Sequence, residues 1–134
     1  MIALDTNVLL YACDRADSRR QQIAIDLVAN SKDGVLLWQV ACEFVAASRK
    51  LSAQGFTASD AWSRLTEFLA LLRLILPTRG VLERGQKLHE THGVSFWDAL
   101  ILAACAEAGV ETLYSEDVPG LSTLGALQVV NPFK

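Results

Sequence analysis

The chain contains few cysteines and no pattern that would pair them. Cys13, Cys42 and Cys105 are widely spaced and odd in number, and no CxxC motif occurs in the 134 residues. This spacing excludes a disulfide framework and fits no zinc site. A reducing compartment, the cytoplasm, is therefore the expected location.

Long hydrophobic runs, internal repeats and low-complexity segments are also absent. The apolar N-terminal stretch is interrupted by Asp5 and Asn7, and no uninterrupted apolar run approaches the roughly 18 residues of a membrane-spanning helix. The chain is nevertheless 51% hydrophobic and 20% charged. A single domain over residues 1–134 with a sizeable core and no membrane segment is expected.

Short apolar segments alternate with longer helical patterns. Five segments are predicted as strands: Ile2–Leu4, Val35–Trp38, Leu74–Leu76, Thr112–Tyr114 and Gln128–Val130. Helices are predicted after Ser18, from about Val40 towards Gly55, after Thr57, over Val81–His92 and from Ser95 to Gly109. This alternation predicts an α/β fold with a mostly parallel sheet, whose ligand site lies at the carboxyl ends of its strands.

Apolar spacing also predicts residues of the core. In the helix after Thr57, one core-facing stripe is formed by Trp62, Leu65, Phe68, Leu69 and Leu72. Trp38 and Trp97 are expected in the core as well.

Three acidic residues are isolated in apolar sequence. Asp5, Glu43 and Asp98 are each the only charged residue in a stretch of at least 13 residues. A buried carboxylate is costly unless it is paired, hydrogen-bonded or bound to a cation. Each of the three follows a predicted strand or begins a helix, and Asp117 follows the fourth strand, so all four are predicted to meet at one edge of the sheet.

Four converging carboxylates would need compensation. At separations of about 5 Å and an effective dielectric near 20, each pair repels by roughly 3 kcal/mol, and six pairs approach about 20 kcal/mol. Either protons or divalent cations relieve this repulsion. Ligands that are all oxygen favour Mg²⁺ or Mn²⁺ over zinc, and we favour the cation.

Structural explanations remain open for the individual acids. Ser95 and Asp98 have the spacing of a capping box, which by itself would explain an acid at that position. Asp117 has an alternative role as a turn residue before Pro119, and neighbouring Glu116 is an alternative fourth acid. Turn or surface roles would account for the other two acids.

Taken in order, these motifs resemble PIN-domain ribonucleases, and most of all the VapC toxins of bacterial toxin–antitoxin pairs. The motifs are Leu4–Leu9, Glu43, Ser95–Ile101 and Ser115–Asp117, which span most of the chain. The resemblance implies a three-layer α/β/α fold with a central five-stranded, mostly parallel sheet. It also implies an Mg²⁺- or Mn²⁺-dependent endoribonuclease that hydrolyses RNA with a metal-activated water, a cognate antitoxin protein, and a homodimer.

The same resemblance implies a role for each site residue. Asp5 and Asp98 correspond to the acids that most directly hold the metal, and Glu43 and Asp117 complete the acidic quartet. The supporting positions are Thr6, Asn7, Ser115 and Glu116, the last of which leaves the identity of the fourth acid open.

Substrate affinity must come from basic residues, because an acidic pocket repels phosphate until metal binds. The net charge is −3, but residues 1–87 carry eleven basic and nine acidic side chains. Arg15, Arg19 and Arg20 are the favoured phosphate contacts.

Two other functions stay possible: a metal-dependent phosphohydrolase of a small molecule, with Asp5 as nucleophile, and a non-catalytic partner-binding module. Cleavage of RNA distinguishes them.

Overall fold

The computed structural model describes residues 1–117 and 123–134 of the chain, so the predicted turn at Pro119 lies outside the described residues. The strands within these ranges are β1 (Ile2–Leu4), β2 (Gly34–Leu37), β3 (Arg73–Ile75), β4 (Thr112–Tyr114), β5 (Thr123–Leu124) and β6 (Leu127–Val130). The α-helices are α1 (Thr6–Ala12), α2 (Ser18–Asn30), α3 (Trp38–Ala47), α4 (Ala58–Leu71), α5 (Arg79–His92) and α6 (Phe96–Ala108). A 3-10 helix, Ser48–Gln54, follows α3.

The strands form one mostly parallel sheet in the order β3-β2-β1-β4-β6-β5. The prediction of an α/β fold is confirmed, but five strands is wrong, because β5 adds a sixth. This strand pairs antiparallel with β6 through a two-residue loop that begins at Gly125, where φ is 58°. A two-residue strand is too short to carry the alternating pattern by which strands are recognised in sequence.

The strand order reverses direction between β1 and β4. The chain passes from β1 to β2 to β3 with α1–α4 in the connections, and then crosses to β4 on the other side of β1 through α5 and α6. Because parallel crossovers are right-handed, these two sets of helices cover opposite faces of the sheet. The carboxyl ends of β1 and β4 therefore flank a crevice of the kind in which α/β sheets bind ligands.

Fully buried apolar side chains fill both interfaces of the sheet. Leu4, Leu36 and Leu113 on the strands are 0% exposed, as are Phe44 on α3 and Leu102 on α6. α6 is predominantly apolar because it lies against the sheet and α5. Within the described ranges, no helix is both long and apolar enough to cross a bilayer.

One helix was missed from the sequence, and the prediction for another requires correction. α1 was not predicted, because its seven residues directly follow β1 and give too short a pattern. The helix expected from Val40 to Gly55 begins earlier, at Trp38, and changes to 3-10 geometry at Ser48. Gly55, at φ 78°, ends this segment.

Several large side chains predicted in the core are exposed. Trp62 and Leu69 on α4 are 59% and 42% exposed, because each lies one position past the buried stripe that contains Ala61 and Phe68. Trp38 and Trp97 are 48% and 62% exposed. They lie in the first turns of α3 and α6, at the helix ends rather than along the faces that pack on the sheet.

Candidate active site at the carboxyl edge of the sheet

Asp5 lies at the end of β1 and caps α1. Its Oδ1 accepts a hydrogen bond from the backbone N–H of Thr6 at 2.7 Å, and its Oδ2 accepts one from the Ser115 hydroxyl at 2.8 Å. The residue is only 6% exposed. The abrupt change from strand to helix thus fixes a buried carboxylate at the crevice between β1 and β4.

Ser115 and Asn7 join the end of β4 to α1. The Ser115 hydroxyl also accepts the backbone N–H of Asp117 at 3.2 Å and the Asn7 side-chain amide at 3.3 Å. The same amide reaches Oδ2 of Asp117 at 3.4 Å, and the Asn7 carbonyl accepts the backbone N–H of Glu116 at 3.3 Å. Asn7 and Ser115 therefore set the position of the segment that carries Asp117.

Glu43 projects from α3 and has a polar partner for each carboxylate oxygen. Its Oε2 accepts from the Thr6 hydroxyl at 2.8 Å, and its Oε1 accepts from the Gln39 amide at 2.7 Å. The Gln39 amide also donates to the backbone carbonyl of Trp97 at 3.1 Å. Gln39 therefore links α3 to the first turn of α6.

Asp98 lies in the first turn of α6. Its backbone N–H donates to the hydroxyl of Ser95, the N-cap, at 3.3 Å. Only this half of the predicted capping box forms: in the part of the chain that the structure describes, no hydrogen bond to the Asp98 carboxylate is found. The Asp98 carboxylate therefore takes no part in capping α6.

The four predicted acids line a single cavity of about 530 Å³, here called the acidic cleft. Its polar walls are formed by Asp5, Thr6, Asn7, Glu43, Lys50, Asp98 and Asp117. Burial raises the pKa of Asp5 above its ordinary range, and the charges of Glu43 and Asp98 raise it further, while hydrogen bonds from Ser115 and Thr6 lower it. Glu43 and Asp98 are thus close enough to Asp5 to interact with it electrostatically.

The donor set of the acidic cleft is entirely oxygen, which matches Mg²⁺ or Mn²⁺. Over residues 1–117 and 123–134, however, no three acidic, histidine or cysteine side chains are grouped closely enough to enclose a metal ion. Mg²⁺ commonly keeps several waters and binds through one or two carboxylates. The cleft therefore fits a partly hydrated ion better than a cage formed by protein alone.

Glu116 has partners outside the acidic cleft. Its Oε2 accepts from the Tyr11 hydroxyl at 2.7 Å, and its Oε1 lies 3.3 Å from the Arg20 guanidinium. The hydrogen bond to Glu116 is the main cause that raises the pKa of Tyr11 to about 12. Arg20 also pairs with Asp17 at 2.9 Å. Glu116 thus belongs to an ion-pair network beside the cleft.

The order of these motifs can be compared with known protein families. A family profile, described as "PIN domain", matches residues 2–118. The chain belongs to the PIN-domain family. The match extends from β1 past Asp117, so it includes every acid of the acidic cleft.

Solved structures confirm the PIN-domain fold. VapC20 of Mycobacterium tuberculosis, described as a sarcin-ricin loop cleaving toxin, has a TM-score of 0.71 at 20% identity, over 89% of this chain and 92% of that chain. VapBC2 of Rickettsia felis, bound to a promoter DNA fragment, gives 0.70 at 20% identity over 98% of both chains. FitAcB of Neisseria gonorrhoeae gives 0.69 at 21% identity over 99% of both. A comparison with curated proteins finds no match.

Gln39, which donates to Glu43, was not singled out from the sequence. It lies four residues before Glu43, so the two share one side of α3, and that spacing made Gln39 predictable. Lys50 is a basic residue of the kind expected to contact phosphate, but it was not among the three favoured arginines. Two of the three arginines favoured as phosphate contacts already have partners in the protein. Arg19 donates to the backbone carbonyl of Phe133 at 2.7 Å, and Arg20 forms ion pairs with Asp17 and Glu116.

Proposed function

We propose that this PIN domain is a divalent-metal-dependent endoribonuclease that acts as the toxin of a toxin–antitoxin pair. The observation that carries the proposal is the acidic cleft, in which Asp5, Glu43, Asp98 and Asp117 surround one cavity. The cleft lies at the reversal of strand order, where α/β sheets bind ligands. The likeness to VapC20, a sarcin-ricin loop cleaving toxin, supports this class of activity.

Asp5 and Asp98 are the proposed metal-holding residues. Asp5 is buried, and hydrogen bonds to Thr6 and Ser115 fix the orientation of its carboxylate. Asp98 contributes a carboxylate that helix capping leaves available. When bound, Mg²⁺ or Mn²⁺ supplies a water acidic enough to serve as nucleophile and positive charge for the phosphodiester.

Glu43 is proposed to orient the attacking water and accept its proton. Thr6 and Gln39 hold its two oxygens, which limits the rotation of the side chain. A general base needs this fixed position within hydrogen-bond reach of the proton that it removes. Thr6 and Gln39 are positioning residues in this scheme.

Asp117, rather than Glu116, is the proposed fourth acid. Asp117 lines the acidic cleft, and Asn7 contacts its carboxylate. Glu116 is engaged by Tyr11 and Arg20 beside the cleft. We assign Glu116 the role of anchoring the segment that carries Asp117.

The hydrogen bonds of Asp5 disfavour a phospho-aspartate mechanism. A covalent nucleophile needs an oxygen that can approach phosphorus in line. Both Asp5 oxygens accept hydrogen bonds, and the residue is only 6% exposed. Hydrolysis by water, with the carboxylates as ligands and base, therefore fits this geometry better.

The partners proposed are RNA as substrate, a cognate antitoxin protein, and a second copy of the chain. Similar solved structures include one described as a toxin–antitoxin complex from Klebsiella pneumoniae and VapBC-1 of Haemophilus influenzae, which supports the antitoxin. The cytoplasm is the proposed site of action. Sedimentation of the purified chain tests the homodimer, and a monomer at all concentrations would contradict it.

RNA cleavage tests the central proposal. Purified wild-type protein with Mn²⁺ is expected to cut a mixture of structured RNAs, and excess EDTA is expected to stop the reaction. Asp98→Asn is expected to lower the cleavage rate by about 100-fold or more. Asp26→Asn, which changes an exposed acid on α2, is the matched control. Failure of the wild type to cut any RNA would overturn the proposal, as would equal rates for the two variants.

A further inference from the structure

Two further cavities adjoin the acidic cleft in series. The first, of about 350 Å³ and here called the side groove, shares Lys50 and Asp117 with the cleft. The second, of about 330 Å³ and here called the arginine pocket, shares Gln54 with the side groove and includes Arg15 and Arg64 in its wall. The three cavities therefore follow one another along the 3-10 helix, from the acids to two arginines, and Gln54 separates the second from the third.

Lys50 lies where the acidic cleft and the side groove meet. It is exposed and lines both cavities. Among the residues that the structure describes, no carboxylate forms an ion pair with its ammonium group. An unpaired cation beside an acidic metal-binding cavity is available for an anionic group of the substrate.

The two acids that line the side groove apart from Asp117 are already engaged. The carboxylate of Asp14 accepts from the Gln54 amide at 2.6 Å and from the backbone N–H of Ala16 at 3.0 Å. Glu116 is paired with Arg20. Donors of the protein therefore partly offset the negative charge of Asp14 and Glu116. This weakens the electrostatic repulsion between these acids and a phosphate in the side groove.

The arginine pocket retains unused donors. Arg15 donates to the backbone carbonyl of Gln54, and Arg64 donates to a backbone carbonyl of α1 at 3.3 Å. Each guanidinium has five N–H donors. The Nε of Arg64 is buried, so only the terminal N–H groups of this arginine are available to a ligand. Of the nearby acids, Asp60 caps α4, and exposed Glu67 lies 3.6 Å from Arg64.

We propose that the side groove and the arginine pocket hold the RNA backbone on one side of the scissile phosphate. Lys50 contacts the phosphate nearest the acidic cleft, and Arg15 and Arg64 contact phosphates further along. Phe56, in the wall of the arginine pocket, offers a ring on which a base can stack. Lys50 at one end of this path, two arginines at the other and an aromatic ring suit a single strand. The inference rests on the proposed endoribonuclease function.

Binding of a labelled 12-nucleotide single-stranded RNA of mixed sequence tests this path. The full chain carries Asp98→Asn to prevent cleavage, and Mg²⁺ is present throughout. In this background, Lys50→Gln and Arg15→Gln are each expected to weaken binding about tenfold at low salt. Each is also expected to reduce the slope of log affinity against log salt by about 0.7.

Matched controls change cations at the opposite edge of the sheet. Lys32 precedes β2 and Arg73 begins β3, so Lys32→Gln and Arg73→Gln are expected to leave the affinity and the slope unchanged. If Lys50→Gln binds as tightly as Lys32→Gln, or if the RNA does not bind at all, the path is overturned. If binding depends on Lys50 but wild-type protein cuts no RNA, the path is supported and the proposed nuclease function is overturned.

Discussion

At the scale of the residue, Asp5 illustrates a conflict between stability and function. Its pKa is raised, mainly by burial, so the native state binds more protons than the unfolded state between the two pKa values. The free energy of unfolding therefore falls as the pH rises through that window. Metal-free protein is expected to be less stable at neutral pH than it would be without the Asp5 charge.

Asp5→Asn is predicted to stabilise the metal-free protein at pH 7 while abolishing RNA cleavage. The expected gain is about 0.5–2 kcal/mol in the free energy of unfolding, measured by urea denaturation in EDTA. The asparagine oxygen still accepts from Thr6, but the Ser115 hydroxyl already accepts from Asn7 and from the backbone N–H of Asp117, so the lost Ser115 hydrogen bond offsets part of the gain. The gain is expected to vanish near pH 3.8, the ordinary pKa of aspartate. Destabilisation at pH 7 would contradict the prediction.

A second prediction at the residue scale separates the two candidates for the fourth acid. Asp117→Asn is expected to lower the rate of RNA cleavage by about tenfold or more, because it removes a charge from the acidic cleft. Glu116→Gln is expected to keep the rate within a few fold and to cost less than about 1 kcal/mol, since its ion pair is partly exposed. The opposite ranking of the two rates would assign Glu116 to the site.

At the scale of the element, helix starts place two of the proposed site residues. Asp5 caps α1, and Asp98 lies in the first turn of α6 behind the Ser95 cap. α4 begins with a complete capping box between Thr57 and Asp60, but it carries none of the proposed acids. The two capped helices thus allow stability and function to be separated.

Ser95→Ala and Thr57→Ala are each predicted to lower the free energy of unfolding by about 1 kcal/mol, because each removes a cap. Only Ser95→Ala is expected to slow RNA cleavage substantially, since displacing a catalytic group by about 1 Å costs up to about 100-fold. Thermal unfolding and initial rates measured on the same samples check both effects. Equal cleavage rates for the two variants would argue that the start of α6 does not position Asp98.

At the scale of the whole molecule, folding brings together acids that lie far apart in sequence. Asp5, Glu43, Asp98 and Asp117 come from four separate segments, yet they line one cavity. The charges of Glu43 and Asp98 act unfavourably on Asp5, and in the proposed function a bound cation would offset them. Stability and metal occupancy are therefore expected to be coupled.

Mn²⁺ is predicted to raise the midpoint of thermal unfolding of the wild type. An ion that binds only the native state adds about 2.7 kcal/mol when its concentration is 100 times its dissociation constant. The double variant Asp5→Asn with Asp98→Asn is expected to show no such rise. NaCl at matched ionic strength controls for screening. An equal rise in the wild type and the double variant would indicate metal binding outside the acidic cleft.

The sequence by itself determined most of the architecture of this protein. Apolar strands and capped helices are encoded by neighbouring residues, and the isolation of Asp5, Glu43 and Asp98 in apolar segments was visible without coordinates. The ends of β1 and β4 followed from the same local pattern. That these acids perform catalysis stays a prediction.

Only the tertiary structure decided which side chains meet and which remain free. It placed Trp38 and Trp62 at the surface and added β5 to the sheet. It also brought Glu116 into an ion pair with Arg20 and placed Lys50 where the acidic cleft and the side groove meet. The physical reason is that helix and strand patterns depend on residues a few positions apart. Ion pairs and cavity walls depend instead on how segments pack that are distant in sequence.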